Sequence, residues 1–276
     1  MIYKKINIWE ESGCSLHTDA NLSIYIPDNS PEIDMERKFK AVVICPGGGY
    51  QGVSDREAEP VAFEFVAKGI AAFVLRYSVA PAKYPTALLE ASRAMWLIRE
   101  NAAAWNIDAD NIAICGFSAG GHLAASLGTL WNEEFIAKEL GMPEGMNKPN
   151  KLILCYPVIL SQEGRAHRDS FYNLLGHGLP EEEYAKFSLD RRVGPHTPPT
   201  FLWHTYDDSA VPVDSSLEFA RALRKNAVPF EMHIYPSGAH GSSLADWRTA
   251  SPSATQYHIP YITNWIDHCT KWMLEY

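Results

Sequence analysis

The sequence predicts an α/β domain with a mostly parallel central sheet and helices on both faces, formed by residues 1–276 as a single unit. Three observations carry this. Short apolar runs recur along the chain, and several are continuous rather than alternating, as strands buried on both faces of a parallel sheet must be. Between them lie longer segments with apolar residues at steps of three and four, the signature of helices with one buried face. The composition is that of an ordinary globular chain, 46% hydrophobic and 21% charged. Such strand–helix alternation builds a sheet with right-handed crossovers.

Taken in order, residues 6–8 and 22–26 read as an antiparallel pair at the sheet edge. The run 41–45 opens the central sheet, followed by a helical segment at 58–68 and the run 71–77. The helix expected over 86–106 places Leu88, Ala91, Met95, Ile98 and Ala102 on one face. The run 111–115 leads into a helix at 119–130, and further runs follow at 151–156, 200–204 and 230–235. Helices at 214–226 and 258–275 complete the pattern, the latter rich in tryptophan and assigned to the core. One segment breaks the rhythm. Residues 161–199 show no strand pattern but several glycines, an acidic run at 181–183 that reads as a solvated helix start, and Pro198-Pro199. A stretch that long in a compact domain carries function or covers a site, so it reads as a short insertion over the sheet's C-terminal edge.

The balance of 24 Lys+Arg against 33 Asp+Glu gives a net charge of −9, with no basic stretch to displace counterions from a phosphate backbone. A nucleic-acid partner is therefore not expected. The longest apolar stretch, 70–75, is far too short to span a bilayer, and the opening residues carry no apolar signal region. The expectation is a cytoplasmic protein with no membrane partner. Five scattered cysteines do not make a disulfide framework, and Cys45, Cys115 and Cys155 end apolar runs and read as core. No local motif proposes a metal or another cofactor. Nothing indicates a homo-oligomer.

The chemistry concentrates in Gly116-Phe117-Ser118-Ala119-Gly120-Gly121, which joins a buried run directly to a helix. A nucleophile at so sharp a strand-to-helix turn sits in a strained backbone conformation, where side chains two positions either side would collide; glycine is wanted at both. The turn also opens a helix, whose free N–H groups favour developing negative charge. Four further motifs accompany it: Pro46-Gly47-Gly48-Gly49-Tyr50, Arg76-Tyr77-x3-Pro81-x2-Tyr84-Pro85, Asp208-x2-Val211-Pro212 and Gly238-Ala239-His240-Gly241.

With these motifs, from about residue 22 to 266, the chain resembles the α/β-hydrolase esterases and lipases. It is most similar to the small acetyl-esterase and xylan-esterase-like members near the hormone-sensitive-lipase group. The resemblance implies an α/β-hydrolase fold and a serine hydrolase of short-chain, foremost acetyl, carboxylic esters, including those of carbohydrates. Ser118 is the implied nucleophile. The Gly-rich loop resembles the family's His-Gly-Gly-Gly loop, with Pro46 where the histidine stands, and the N–H groups of Gly48, Gly49 and Ala119 are the implied oxyanion donors. The family pattern places the acid four residues before Pro212, which selects Asp208 over Asp207; the latter reads as a solvated turn residue or a helper bonding the loop. Among ten histidines His240 follows the last strand in a small-residue loop, and Ser118, Asp208, His240 is the chain order expected of this fold, 90 and then 32 residues apart. His167, His177 and His196 fall in the insertion and read as surface residues.

Specificity is quieter. Tyr50, Phe171, Tyr172, Tyr206 and Trp247 lie in loops expected to ring the site; Tyr50 and Tyr206 are the candidate substrate contacts, with ordinary loop packing as the other reading of each. The expected partner is a small-molecule ester. Two alternatives stand beside the esterase: an oligopeptidase-type serine peptidase, which shares the order of the three residues, and a non-catalytic binding protein that keeps the fold as a receptor.

Overall fold

The computed structural model describes residues 1–10, 16 and 18–276. Cys14 lies outside the described residues. Within them, eight strands form one sheet in the order β1-β2-β4-β3-β5-β6-β7-β8. The strands are β1 (Ile2–Asn7), β2 (Asn21–Ile26), β3 (Phe39–Cys45), β4 (Ala71–Arg76), β5 (Ile107–Phe117), β6 (Lys151–Cys155), β7 (Thr200–Thr205) and β8 (Phe230–Tyr235). Only β2 runs against its neighbours; every pair from β4 to β8 is parallel.

The continuous apolar strands divide by the strand's two-residue period. Val43, Phe73, Ile114 and Leu154 join a core cluster with α2 (Thr86–Glu100), α3 (Ser118–Leu130), α4 (Glu134–Leu140) and α7 (Asp214–Lys225). Their chain neighbours Val42, Val74, Cys115 and Cys155 point the other way, into a cluster with α1 (Glu59–Ala67) and α8 (Trp265–Glu275). Helices therefore cover both faces. Among the described residues no helix is long and apolar enough to cross a membrane.

The expected elements are present with shifted ends. The first edge strand spans Ile2–Asn7 rather than 6–8, and Ile8 turns into the core. Helix α2 stops at Glu100 instead of running to 106, and Asn106 adopts a left-handed conformation (φ 53°) whose carbonyl caps β3 through the Phe39 N–H. Helix α8 begins at Trp265, not 258, because Pro260 has no N–H and forces Ile259 out of helical geometry; Ile259 instead bonds the Ala245 carbonyl. Residues 161–199 hold α5 (Arg168–Leu175) and α6 (Glu181–Ala185), the latter starting at the acidic run.

What this topology does for a site is set at β3. The chain leaves β3 to form β4 on one side, then returns to form β5 on the other. Loops after β3 and β5 thus leave the sheet side by side at a switch in direction, where open α/β sheets place their ligands. In register terms Cys45 lies opposite Gly116, so the Gly-rich loop and the serine turn start from paired residues.

Candidate active site

Ser118 sits where β5 becomes α3, with φ at 52°. That left-handed conformation is costly for a residue bearing a Cβ, and the surroundings hold it there. A Cβ on Gly116 would overlap the Gly120 carbonyl, and one on Gly120 would overlap the carbonyls of Cys45 and Pro46. The two glycines flanking the serine are therefore required by backbone approach, one of them from a different strand. Because α3 begins at Ser118, the Ala119 N–H lies in the first turn and has no intrahelical acceptor.

The Gly-rich loop is pressed against this turn. A Cβ on Gly47 would stand 2.9 Å from Ser118 Cβ and 2.8 Å from the Phe117 carbonyl. Gly48 and Gly49 have φ of 134° and 64°, and both line the cavity above Ser118. Three bonds brace the loop from outside. Tyr77 Oη donates to the Pro46 carbonyl at 2.7 Å, Ala80 N–H to the Tyr50 carbonyl at 2.8 Å, and Asn173 Nδ2 to the Gly49 carbonyl at 2.8 Å. The Arg76-to-Pro85 motif thus buttresses the loop, and the insertion clamps its far end.

His240 Nε2 lies 2.8 Å from Ser118 Oγ, and its Nδ1 lies 2.7 Å from Asp208 Oδ2. The other Asp208 oxygen accepts the N–H groups of Ala210 and Val211, each at 2.9 Å, and buried His204 stands 3.3 Å from Oδ2. Burial works to raise the Asp208 carboxyl, but its bonds to His204, His240 and the Val211 amide win and hold it well below the usual carboxylate range. It is ionised and accepts only, so the His240 nitrogen facing it, Nδ1, is the one that donates. Asp207 does the other job: its oxygens accept Ser237 Oγ–H at 2.6 Å and Gly238 N–H at 2.8 Å, fastening the histidine loop. His122, beside the serine, is no competitor. It is buried, accepts from Tyr50 Oη at Nδ1 (3.0 Å) and donates Nε2–H to the Phe187 carbonyl (3.1 Å), and burial pushes its pKa down to about 4.

Above Ser118 lies a cavity of about 350 Å³ whose walls include Gln51, Ser54, Arg56, Glu57, His167, Asp169, Asn173, Gly241 and Tyr257. Sequence expectations change here at Tyr50, Tyr206, Phe171 and His167. Tyr50 is 3% exposed and packed on Tyr77 and His122 beneath the loop, while Tyr206 is 70% exposed; neither lines this cavity. Phe171 is buried in a small cluster with Val158, Tyr184 and Val211 rather than facing substrate. Conversely His167, expected at the surface, lines the cavity with Nδ1 2.9 Å from Ser170 Oγ; burial and then His240 lower its pKa. Glu57 was not singled out at all, although it lies in the cavity wall and bonds the Gly-rich loop. No motif marks it; the proximity of the segment after that loop was its one signal. Among the described residues no group of three or more His, Cys, Asp or Glu side chains is arranged so that it could hold a metal ion.

Known proteins share this arrangement of elements. An acetyl ester-xyloside bifunctional hydrolase from Caldicellulosiruptor lactoaceticus superposes with a TM-score of 0.83 at 38% identity, over 99% of this chain and 96% of that one. The endo-1,4-beta-xylanase B of Butyrivibrio fibrisolvens is 38% identical over 256 residues, covering 87% of this chain and 38% of that protein. The acetylxylan esterase of Xylanibacter ruminicola is 30% identical over 233 residues, covering 83% of this chain and 45% of that protein. The chain thus spans less than half the length of these two curated relatives. Residues 22–223, which hold the serine turn, the Gly-rich loop and Asp208, match the BD-FAE family model, and the chain belongs to the BD-FAE family of α/β-hydrolases.

Proposed function

We propose that this protein is a serine carboxylic-ester hydrolase that removes short acyl groups, foremost acetyl, from carbohydrate alcohols. The observation that carries the reading is the chain of hydrogen bonds Ser118–His240–Asp208 opening into a cavity lined by Gly48 and Gly49. In the first step Ser118 Oγ attacks the acyl carbon as its proton passes to His240 Nε2, and ionised Asp208 stabilises the imidazolium. The N–H groups of Gly48, Gly49 and Ala119 take the negative charge that develops on the carbonyl oxygen. His240 then gives its proton to the departing alcohol, and a water activated by the same nitrogen releases the acid from Ser118. Support for a hydroxyl-rich alcohol comes from the wall: Gln51, Ser54, Asp169, Asn173 and Tyr257 offer donors and acceptors rather than an apolar tunnel. The names of two relatives, one acting on acetylxylan and one on acetyl esters and xylosides, point the same way.

The test is hydrolysis of p-nitrophenyl acetate, butyrate and octanoate, then acetylated xylo-oligosaccharides, with Ser118→Ala beside the wild type. Turnover should fall steeply with acyl length, and Ser118→Ala should lose on the order of 10⁴–10⁶ in kcat. Wild-type rates in Ser118→Ala would sink the mechanism. Faster cleavage of chromogenic peptides than of any ester would replace it with a peptidase, and no reaction with a fluorophosphonate probe would make the protein a receptor.

A further inference from the structure

Glu57 is a carboxylate in an unusual place: 2% exposed, in the wall of the cavity, at the end of a short 3₁₀ turn spanning Asp55–Glu57. A buried carboxylate is costly unless its oxygens are bonded. Both are. Oε2 accepts the Gly47 N–H at 2.7 Å, at the one loop residue wedged against Ser118. Oε1 accepts Tyr156 O–H at 2.7 Å, and the Tyr156 oxygen in turn accepts the Ser243 N–H at 3.0 Å, just beyond the histidine loop. The Tyr156 ring stands edge-on to the His240 ring, centroids 5.0 Å apart, and Ser243 Oγ donates to the Arg56 carbonyl at 2.6 Å, closing the circuit beside Glu57.

We propose that Glu57 is a positioning residue of this site, its one carboxylate fastening the oxyanion loop to the histidine loop and adding a second negative charge near His240. This rests on the esterase reading above. Catalysis by fixed N–H donors depends on holding them within a fraction of an ångström of the developing oxyanion, and Gly47 is the residue before the two donors. The charged and titratable groups around the pair are Asp208, His167 and Tyr156 at His240, and Arg56, Tyr156 and Tyr77 at Glu57. Burial raises the Glu57 carboxyl, while Tyr156, the Gly47 amide, His240 and Arg56 pull it back. Glu90 supplies the contrast. It is equally buried and also bonded at both oxygens, but to Thr18 and Ser78, which do not line the cavity.

Glu57→Gln keeps the size but puts an NH2 donor where one of the two acceptor oxygens stood, so it faces either the Gly47 N–H or the Tyr156 O–H, donor against donor. We would measure kcat and KM for p-nitrophenyl acetate from about pH 5 to 9, with thermal melts, for wild type, Glu57→Gln, Tyr156→Phe and Ser118→Ala. Glu57→Gln should lower kcat roughly 10- to 100-fold with KM within about threefold. Its acidic limb should move to lower pH, because the charge favouring a protonated imidazole is gone. Tyr156→Phe, which cuts the tie to Ser243 and keeps the charge, should lower kcat about 3- to 10-fold with the limb in place. Glu57→Gln at wild-type kcat overturns the proposal, as does a loss of rate matched by a loss of folded protein with the limb unmoved. Should Glu57→Gln not fold, wild-type kcat in Tyr156→Phe overturns it. Ser118→Ala reports separately: if it turns over like wild type, the esterase reading has failed, and if it is dead while Glu57→Gln is normal, only the role of Glu57 has.

Discussion

The serine turn and the 161–199 arm line one cavity and are built by different means. The turn is set by backbone against backbone: Gly116 against Gly120, Gly120 against Cys45 and Pro46, Gly47 against Phe117. Besides backbone ties such as Tyr84 N–H to the Leu174 carbonyl and Leu189 N–H to the Ile159 carbonyl, the arm is held by side chains. Arg168 bonds the Ser161 carbonyl and Glu181 and lies over the rings of Tyr172 and Tyr184, and Asn173 reaches across to Gly49. Of its four glycines, Gly164, Gly176 and Gly178 face open space, and Gly194 meets only the His196 ring. The difference separates two tasks. Backbone contacts fix the Ser118 turn and admit almost no substitution, whereas the arm's side chains can be exchanged without moving the serine. Rate should reside in the turn and selectivity in the arm.

The sharpest break of that division is Gly120→Ala. Its Cβ would meet two carbonyls of the β3 end, neither of which can rotate away, so a loss of more than about 3 kcal/mol or no folded protein is expected in urea unfolding. The matching change in the arm, Gly178→Ala, meets no atom and costs only the left-handed backbone, about 1–2 kcal/mol. Equal losses would show that the turn is no more constrained than the arm. Next in size is Asp208→Asn, expected to lower kcat by about 10⁴ through the wrong imidazole tautomer, while Asp207→Asn, which only loosens the Ser237–Gly238 bonds, should stay within about tenfold. The reverse order would reassign the acid. Asp208 also has a stability signature. Its carboxyl is depressed in the folded state, so its contribution is present above the unfolded value near pH 4 and is lost as pH falls through the folded one. The melting difference between wild type and Asp208→Asn should therefore shrink as pH drops below about 4.

The same division explains what could be read from the sequence. The sheet was legible because strands buried on both faces leave continuous apolar runs, and the turn was legible because steric necessity writes glycine at fixed spacing. Asp207 and Asp208 differed in sequence only by their distance from Pro212; in the fold one meets His240 and the other the loop that carries it. The failures lie where a residue's role depends on what packs over it. Tyr50 follows Gly48 and Gly49, yet His122 and Tyr77 draw it inward, and no spacing announces that. His167 and Glu57 reach the cavity only because α5 folds over the loop and the 3₁₀ turn tucks beneath it. Local features escaped too: Pro260 delays α8, and α4, which the sequence pattern does not mark, is a short helix stopped by Gly141 in the left-handed conformation.

The smallest expected effect is the most informative about the arm. Asn173 Nδ2 donates to the Gly49 carbonyl at 2.8 Å, a single half-buried bond joining arm to Gly-rich loop. Asn173→Ala should cost about 1 kcal/mol of stability, the usual worth of one such bond. If the arm governs selectivity, kcat on p-nitrophenyl acetate should fall less than about threefold, while KM for acetylated xylo-oligosaccharides rises by about 3- to 10-fold, because the longer alcohol meets the wall that Asn173 helps form. A fall in kcat comparable to that of Asp208→Asn on both substrates would mean that the Gly49 carbonyl must be held from outside for the donors to work. The arm would then belong to the machinery of the reaction, and the separation of rate from selectivity would fail at this bond.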